Sequence, residues 1–187
     1  MSDVPDSSVS AASPAPPADA APAPLPPEQG EVLAQLAPGV LYAAEQDMWV
    51  RPEADGTLCI GATHLVAGHG QFMLFTPRPN GTEVVRDQSL GVMETAKTAV
   101  GIHSPVSGRL IEANPAAVAD VSLVARDPYG AGWLFRMQPT AFEGERDMLQ
   151  DAGSYATWLA PRLAQKAVKP LENDFDPDLF IDPNRGY

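Results

Sequence analysis

Apolar residues recur at every second position in short runs through the middle of the chain. The runs are Leu58 and Ile60, Phe72 and Leu74, Leu90 and Val92, Val100 and Ile102, and Trp133 and Phe135, with Leu110 and Ile111 as a further apolar step. Period-two alternation puts successive side chains on opposite faces of an extended chain, so each run predicts a short half-buried strand. Turn formers separate them. Asp55-Gly56 and Asn80-Gly81 predict two-residue hairpin loops, where Gly takes the positive φ such loops need. Ser104-Pro105-Val106-Ser107-Gly108 stops one strand and redirects the chain. The strand pattern ends after Met137. From Arg146, the positions Met148 and Leu149, Ala152, Tyr155 and Ala156, Leu159 and Leu163 recur every three to four residues. That spacing predicts an amphipathic helix, weakened by Gly153 and interrupted at Pro161. The expected fold is all-β, a sandwich or flattened barrel of short antiparallel strands with a C-terminal amphipathic helix.

The two ends lack these patterns. Residues 1–30 hold eight prolines and seven alanines, with no aromatic and no basic residue. Such a stretch cannot bury enough apolar surface to offset its ordering entropy, so a disordered Pro/Ala-rich tail is expected there. It has neither the basic start and apolar core of a secretory signal nor the arginines of a mitochondrial presequence. The folded domain is expected over 31–163. Residues 164–187 form an acidic C-terminal tail, in which Asp174 to Pro183 alternate acids with apolar residues. This stretch reads as a solvated tail, with a short docking motif as the alternative.

Charge and composition narrow the function. The net charge is −12, with −4 in each of residues 1–30, 31–142 and 143–187. That sign argues against nucleic acid, whose phosphates need basic contacts. No run approaches the ~18 apolar residues of a membrane span, so a cytoplasmic bacterial protein with no membrane partner is expected. The lone cysteine, Cys59, sits in a strand-like run and reads as a buried inert thiol. His64, His69 and His103 are too dispersed to suggest a metal site.

One residue stands out chemically. Lys97 is the only lysine in the first 165 residues, although nine arginines are spread along the chain. A primary amine can be acylated, whereas a guanidinium cannot in the same way. The strand-like pairs Leu90/Val92 and Val100/Ile102 flank it, and their midpoint is Ala96. Lys97 is therefore expected at or beside the bend of a hairpin, facing solvent. Thr95-Ala96-Lys97-Thr98 contains no Gly, Asn or Asp, so the surrounding strands are expected to hold that bend.

The segment Gly91 to Gly108 resembles the attachment hairpin of lipoyl carriers, with Glu94 three residues before the lysine and Ser104-Pro105 and Gly108 after it. The wider chain resembles the H-protein of the glycine cleavage system. Trp49-Val50-Arg51, Asp55-Gly56-Thr57 and Ile60-Gly61-Ala62-Thr63 look like that family's first hairpin. Gly81-Thr82-Glu83-Val84 precedes the lysine at similar spacing. Asn114-Pro115 and Asp127-Pro128-Tyr129-Gly130-Ala131-Gly132-Trp133-Leu134 look like its later strands and loop, and Leu149 to Leu159 like its closing helix. The resemblance covers about residues 39–163. Biotinyl carriers share the fold but usually place Met on both sides of the lysine, whereas Ala96 and Thr98 stand here.

The resemblance implies a lipoyl/biotinyl-type, H-protein-like fold and a non-catalytic carrier, with lipoic acid joined covalently to Lys97. Glu94 would be read by the modifying enzyme, a lipoate ligase or a lipoyl/octanoyl transferase. Tyr129 and His103 are candidates for contact with the arm. Partners would be glycine decarboxylase, aminomethyltransferase and dihydrolipoamide dehydrogenase, with an aminomethyl group as cargo. The chain departs from the family at Asp47, where a His is usual, at Gln71, where an Asp is usual, and at Gly101, where an acid is usual. An aromatic is common where His103 stands, and the stretch Thr63 to Gly70 is one residue shorter than the family's and contains Gly68 and Gly70, which argues against the short helix of the family there. These changes keep two alternatives open. One is an H-like lipoate-binding carrier of another pathway, such as bacterial sulfur oxidation and its enzymes. The other is an unmodified scaffold or binding module.

Overall fold

A computed structural model describes residues 33–63 and 72–168, with side chains through residue 163. Nine strands occur among these residues: β1 Leu41–Ala43, β2 Met48–Pro52, β3 Leu58–Ala62, β4 Phe72–Pro77, β5 Glu83–Val84, β6 Ser89–Thr95, β7 Ala99–His103, β8 Gly108–Ala113 and β9 Phe135–Pro139. Helices α1 (Pro115–Ala119) and α2 (Leu123–Arg126) lie between β8 and β9. A short α3 (Phe142–Glu145), a 3-10 turn (Arg146–Met148) and the longer α4 (Ala152–Val168) follow. The strands make two antiparallel sheets that form a sandwich. One is six-stranded in the order β1-β2-β3-β9-β8-β5, and the other three-stranded in the order β4-β6-β7.

The inner faces of the sheets share one apolar core. Val50 and Ile60, Phe135 and Met137 from the larger sheet meet Phe75, Leu90 and Met93 from the smaller. The rings of Phe75 and Phe135 bridge the two layers edge to face, with centroids 5.6 Å apart. Burial of this apolar area is the main force holding the smaller sheet on the larger.

The opposite face of β1–β3 is also covered. Tyr42, Trp49 and Cys59 point to that side and pack with Tyr155, Leu159 and Leu163 of α4. Tyr42 and Tyr155 stack with centroids 4.5 Å apart. Gly61 lies directly beneath Trp49, where a Cβ would fall 2.3 Å from the indole ring. Every residue of β3 is therefore buried, which turns alternation into a continuous apolar run. Burial of Cys59 pushes its thiol pKa up, as the inert reading expects.

Three local expectations change. Asp55-Gly56 lies in the β2–β3 hairpin loop, but the loop holds three residues rather than two, closed by Glu53 N–H donating to Thr57 O (2.9 Å). Asn80-Gly81 does not close a hairpin, because β4 pairs with β6 while β5 pairs with β8. It carries the chain from one sheet to the other: Gly81 N–H donates to Leu110 O (2.7 Å), and Asn80 Oδ1 accepts from Ala113 N–H (3.2 Å). The helix predicted from Arg146 starts later, at Ala152, where Asp151 Oδ1 accepts from Ser154 N–H (2.7 Å) as an N-cap. It also runs through Pro161 to Val168. Proline removes one backbone donor, but Tyr155, Leu159 and Leu163 hold the helix on the sheet across that site. The segment 64–71, which includes Gln71, His64, His69 and the shortened helix, lies outside the described residues. The expected tail over 1–30 lies there as well; of the tail expected over 164–187, residues 164–168 continue α4 and the rest lies outside the described residues.

Candidate functional site

Lys97 lies where the sequence places it, at the bend between β6 and β7, and it is exposed. The pairs Met93–Val100 and Glu94–Ala99 close the hairpin below it. The bend has its own chemistry, which the sequence reading missed. Thr95 N–H donates to Thr98 O (2.8 Å). The Thr95 hydroxyl accepts from Thr98 N–H (3.1 Å) and Lys97 N–H (3.3 Å), and it donates to Thr98 O (3.1 Å). One side chain thus accepts from two amides of the bend. Neither Ala96 nor Lys97 takes a positive φ, so the bend needs no Gly or Asn. The detectable signal was a Thr two residues before the lysine, a residue able to make such a turn.

The smaller sheet presents Lys97 on a braced platform. β6 is its central strand, paired on both sides. Its inner face is anchored by Leu90 and Met93, both fully buried. A bulge between Ser89 and Gly91 resets the alternation, so Met93, rather than Val92, faces the core. Beyond β7, Ser104 is buried and holds the exit: its hydroxyl donates to Val106 O (2.6 Å), and its amide to Gln88 O (2.8 Å). The chain then crosses to β8 in the other sheet, as Ser104 to Gly108 predicts.

Glu94 is exposed on the outer face, between Leu74 of β4 and Ala99 of β7. Leu74 and Met73 beside it are also exposed, at 48% and 70%. His103 lies on the same outer face at the far end of β7, opposite Ser89. Tyr129 lies elsewhere. Its ring packs with Tyr42 and Trp49 on the α4 side of the larger sheet, and burial pushes its pKa up. The structure brings Lys97, Glu94 and His103 onto one sheet and leaves Tyr129 on the opposite side of the molecule.

The Tyr129 loop has a structural task. Trp49 Nε1 donates to Pro128 O (3.0 Å), and Arg51 Nη1 donates to Tyr129 O (3.1 Å), which ties Asp127-Pro128-Tyr129-Gly130 to β2. Asn114 caps α1 through Ala116 N–H (3.0 Å) and donates to Ala131 O and Trp133 O. These bonds explain why such residues recur together in the sequence without any chemistry of their own. A cleft of about 650 Å³ between the β2–β3 turn and α3 is lined by Leu58, Pro139, Phe142 and Arg146 among others, and by no residue of the β6–β7 hairpin.

Among the described residues, no carboxylate lies within ion-pair distance of Lys97. No cluster of His, Cys, Asp or Glu there could hold a metal ion. No described helix is long and apolar enough to cross a membrane. Among the described residues the Lys97 amine is therefore open and without an ion-pair partner, which fits a lysine that takes a covalent acyl group.

Comparison with known proteins agrees with this geometry. Residues 40–161 match the family model described as glycine cleavage H-protein. A glycine cleavage system H protein of Halorhodospira halophila is 34% identical over 129 residues, covering 68% of this chain and 98% of its own length. One from Paraburkholderia xenovorans is 39% identical over 120 residues, covering 64% and 94%. The crystal structure of a glycine cleavage system H protein from Mycobacterium marinum matches with a TM-score of 0.57 and 34% identity, covering 66% of this chain and 98% of that one. The chain belongs to the glycine cleavage H-protein family, whose members are non-catalytic lipoyl carriers.

Proposed function

We propose that the protein carries lipoic acid on Lys97 and shuttles a lipoamide-bound aminomethyl group between the enzymes of glycine cleavage. The carrying observation is Lys97, exposed and without an ion-pair partner among the described residues, at the bend of a hairpin braced by two neighbouring strand pairings. When attached, the lipoyl group supplies the redox-active dithiolane and the sulfur that bears the cargo. The chain's own residues do the rest. Thr95 holds the bend, Glu94 marks the hairpin for the lipoate ligase or lipoyl transferase, and the sheet keeps the amine away from other charges. Partners on this reading are glycine decarboxylase, aminomethyltransferase and dihydrolipoamide dehydrogenase.

A second reading is an H-like lipoate carrier for another pathway, such as sulfur oxidation. Gly101 favours it, because it leaves the outer face of β7 without the acid usual at that position. Glycine–bicarbonate exchange by the lipoylated protein with standard partner enzymes separates the two. A rate equal to that of an authentic H-protein supports glycine cleavage. A rate at least tenfold lower, with turnover by dihydrolipoamide dehydrogenase unchanged, supports the other pathway.

A further inference from the structure

β4 carries a bulge between Phe72 and Leu74, where its pairing with β6 shifts. The bulge breaks the alternation. Phe72 and Phe75 are buried, while Met73 and Leu74 between them both stand in solvent. Strict period-two spacing would put Phe72 and Leu74 on one face; the bulge separates them. Neither Met73 nor Leu74 packs with either apolar cluster. Among the described residues, no other two exposed large apolar side chains are adjacent in the chain. Single exposed apolar residues are ordinary, whereas a bulge that turns two outward together marks a surface made for contact.

The pair flanks the bend that carries Lys97. Phe72 pairs with Thr95, and Leu74 with Glu94. Paired Cα atoms lie ~5 Å apart, and the three residues from Glu94 to Lys97 span at most ~10 Å, so Leu74 lies within ~11 Å of Lys97. The exposed carboxylate of Glu94 stands beside the two apolar side chains. Reach decides which partner covers this surface. An interface of usual size takes ~800 Å² of each partner, a disc of ~16 Å radius. An enzyme that acylates the bare amine brings its acyl carbon to Nζ, ~6 Å from the Lys97 Cα, and its footprint takes in Met73 and Leu74. An enzyme that works on the finished arm meets the sulfur ~15 Å from that Cα and can dock clear of β4.

We propose that Met73 and Leu74, with Glu94, form the docking surface for the enzyme that acylates Lys97. The inference rests on the lipoyl-carrier reading above and adds the chemistry of the partner: an acyl-transferring enzyme with an apolar hollow beside a basic side chain. The flexible Met73 fits such a hollow, and the basic group meets Glu94. In the step that this docking serves, the neutral Lys97 amine attacks an activated lipoyl carbonyl. One C–N bond forms, the bond to the activating group breaks, and the amine gives up one proton.

The test is a ligase time course on the full-length chain, with lipoate and ATP saturating and the carrier concentration varied. Met73→Ser with Leu74→Ser should raise the KM for the carrier about tenfold and leave kcat within about twofold, because two apolar side chains no longer become buried in the complex. The melting temperature should match the parent's, since both positions are exposed. Met73→Leu with Leu74→Met, which keeps the apolar surface, should restore the parent KM. Ile111→Ser, at an exposed position on the larger sheet, should leave it unchanged. An equal KM for the parent and the double serine variant overturns the docking surface and leaves the carrier reading intact. With KM equal, a defect in glycine–bicarbonate exchange by the lipoylated variant assigns the surface to a later enzyme, and a loss of self-association in sedimentation assigns it to a second copy. A parent chain that the ligase cannot modify at Lys97 overturns the carrier reading, and the docking surface with it.

Discussion

Thr95 does for this hairpin what a glycine does in a primed turn, by a different route. Its hydroxyl takes the Lys97 and Thr98 amides, so the backbone keeps ordinary dihedral angles. A bend held this way keeps the lysine in one place without burying it. Thr95→Ala should therefore cost about 1 kcal/mol in urea unfolding and broaden the amide resonances of residues 96–98. Thr95→Ser, which retains the hydroxyl, should restore most of both. Glu94 belongs to the same scale. It is exposed and pairs with no described cation, so it adds little to stability. Glu94→Ala should slow lipoylation severalfold in a ligase time course while leaving the melting temperature unchanged. An equal rate would reduce Glu94 to a solvated charge at a strand end.

At the scale of elements, what could be read from the sequence followed how each strand is buried. Of the strands with one wet face, β7 showed itself by alternation, whereas β6 alternates only after the bulge at its start, so Leu90 and Val92 do not share a face. β3 is dry on both faces, and β1 and β5 are only three and two residues long, too short for a period to show. Asn80-Gly81 has the composition of a hairpin loop yet serves a crossover, since no local signal tells which sheet will take the following strand. The bend at Lys97 was located by symmetry of the flanking strands, while the Thr95 bonds that hold it were not foreseen. Tyr129 could be read either as packing under the arm or as core, because a conspicuous loop motif does not reveal which side of the sandwich it folds against. The start of α4 carries a pH signature. Hydrogen bonds from Ser154 hold the Asp151 carboxyl below its ordinary value of 3.8. A depressed folded-state pKa contributes stability that is complete above the unfolded value and lost as pH falls through the folded one. The wild-type melting temperature should drop below about pH 4. Asp151→Asn, which still caps but does not titrate, should show a smaller drop over the same range. Identical pH profiles would remove the cap from the account.

The whole molecule separates its two tasks by face. One side of the larger sheet binds α4 through an aromatic cluster; the other binds the smaller sheet that presents Lys97. The carrier therefore needs no catalytic cleft, only a stable block with one reactive amine at its edge. The alternation of the strands, the isolation of one lysine and the family match all converge on that amine. Its modification is the central claim, and site-resolved mass spectrometry tests it most directly. The full chain is co-expressed with a lipoate ligase, its intact mass is measured, and its peptides are mapped. The account predicts a single added lipoyl mass on the peptide containing Lys97, and none in Lys97→Arg, which keeps the charge but not the acylatable amine. An unmodified chain, or a lipoyl group on Lys166 or Lys169 instead, would contradict it.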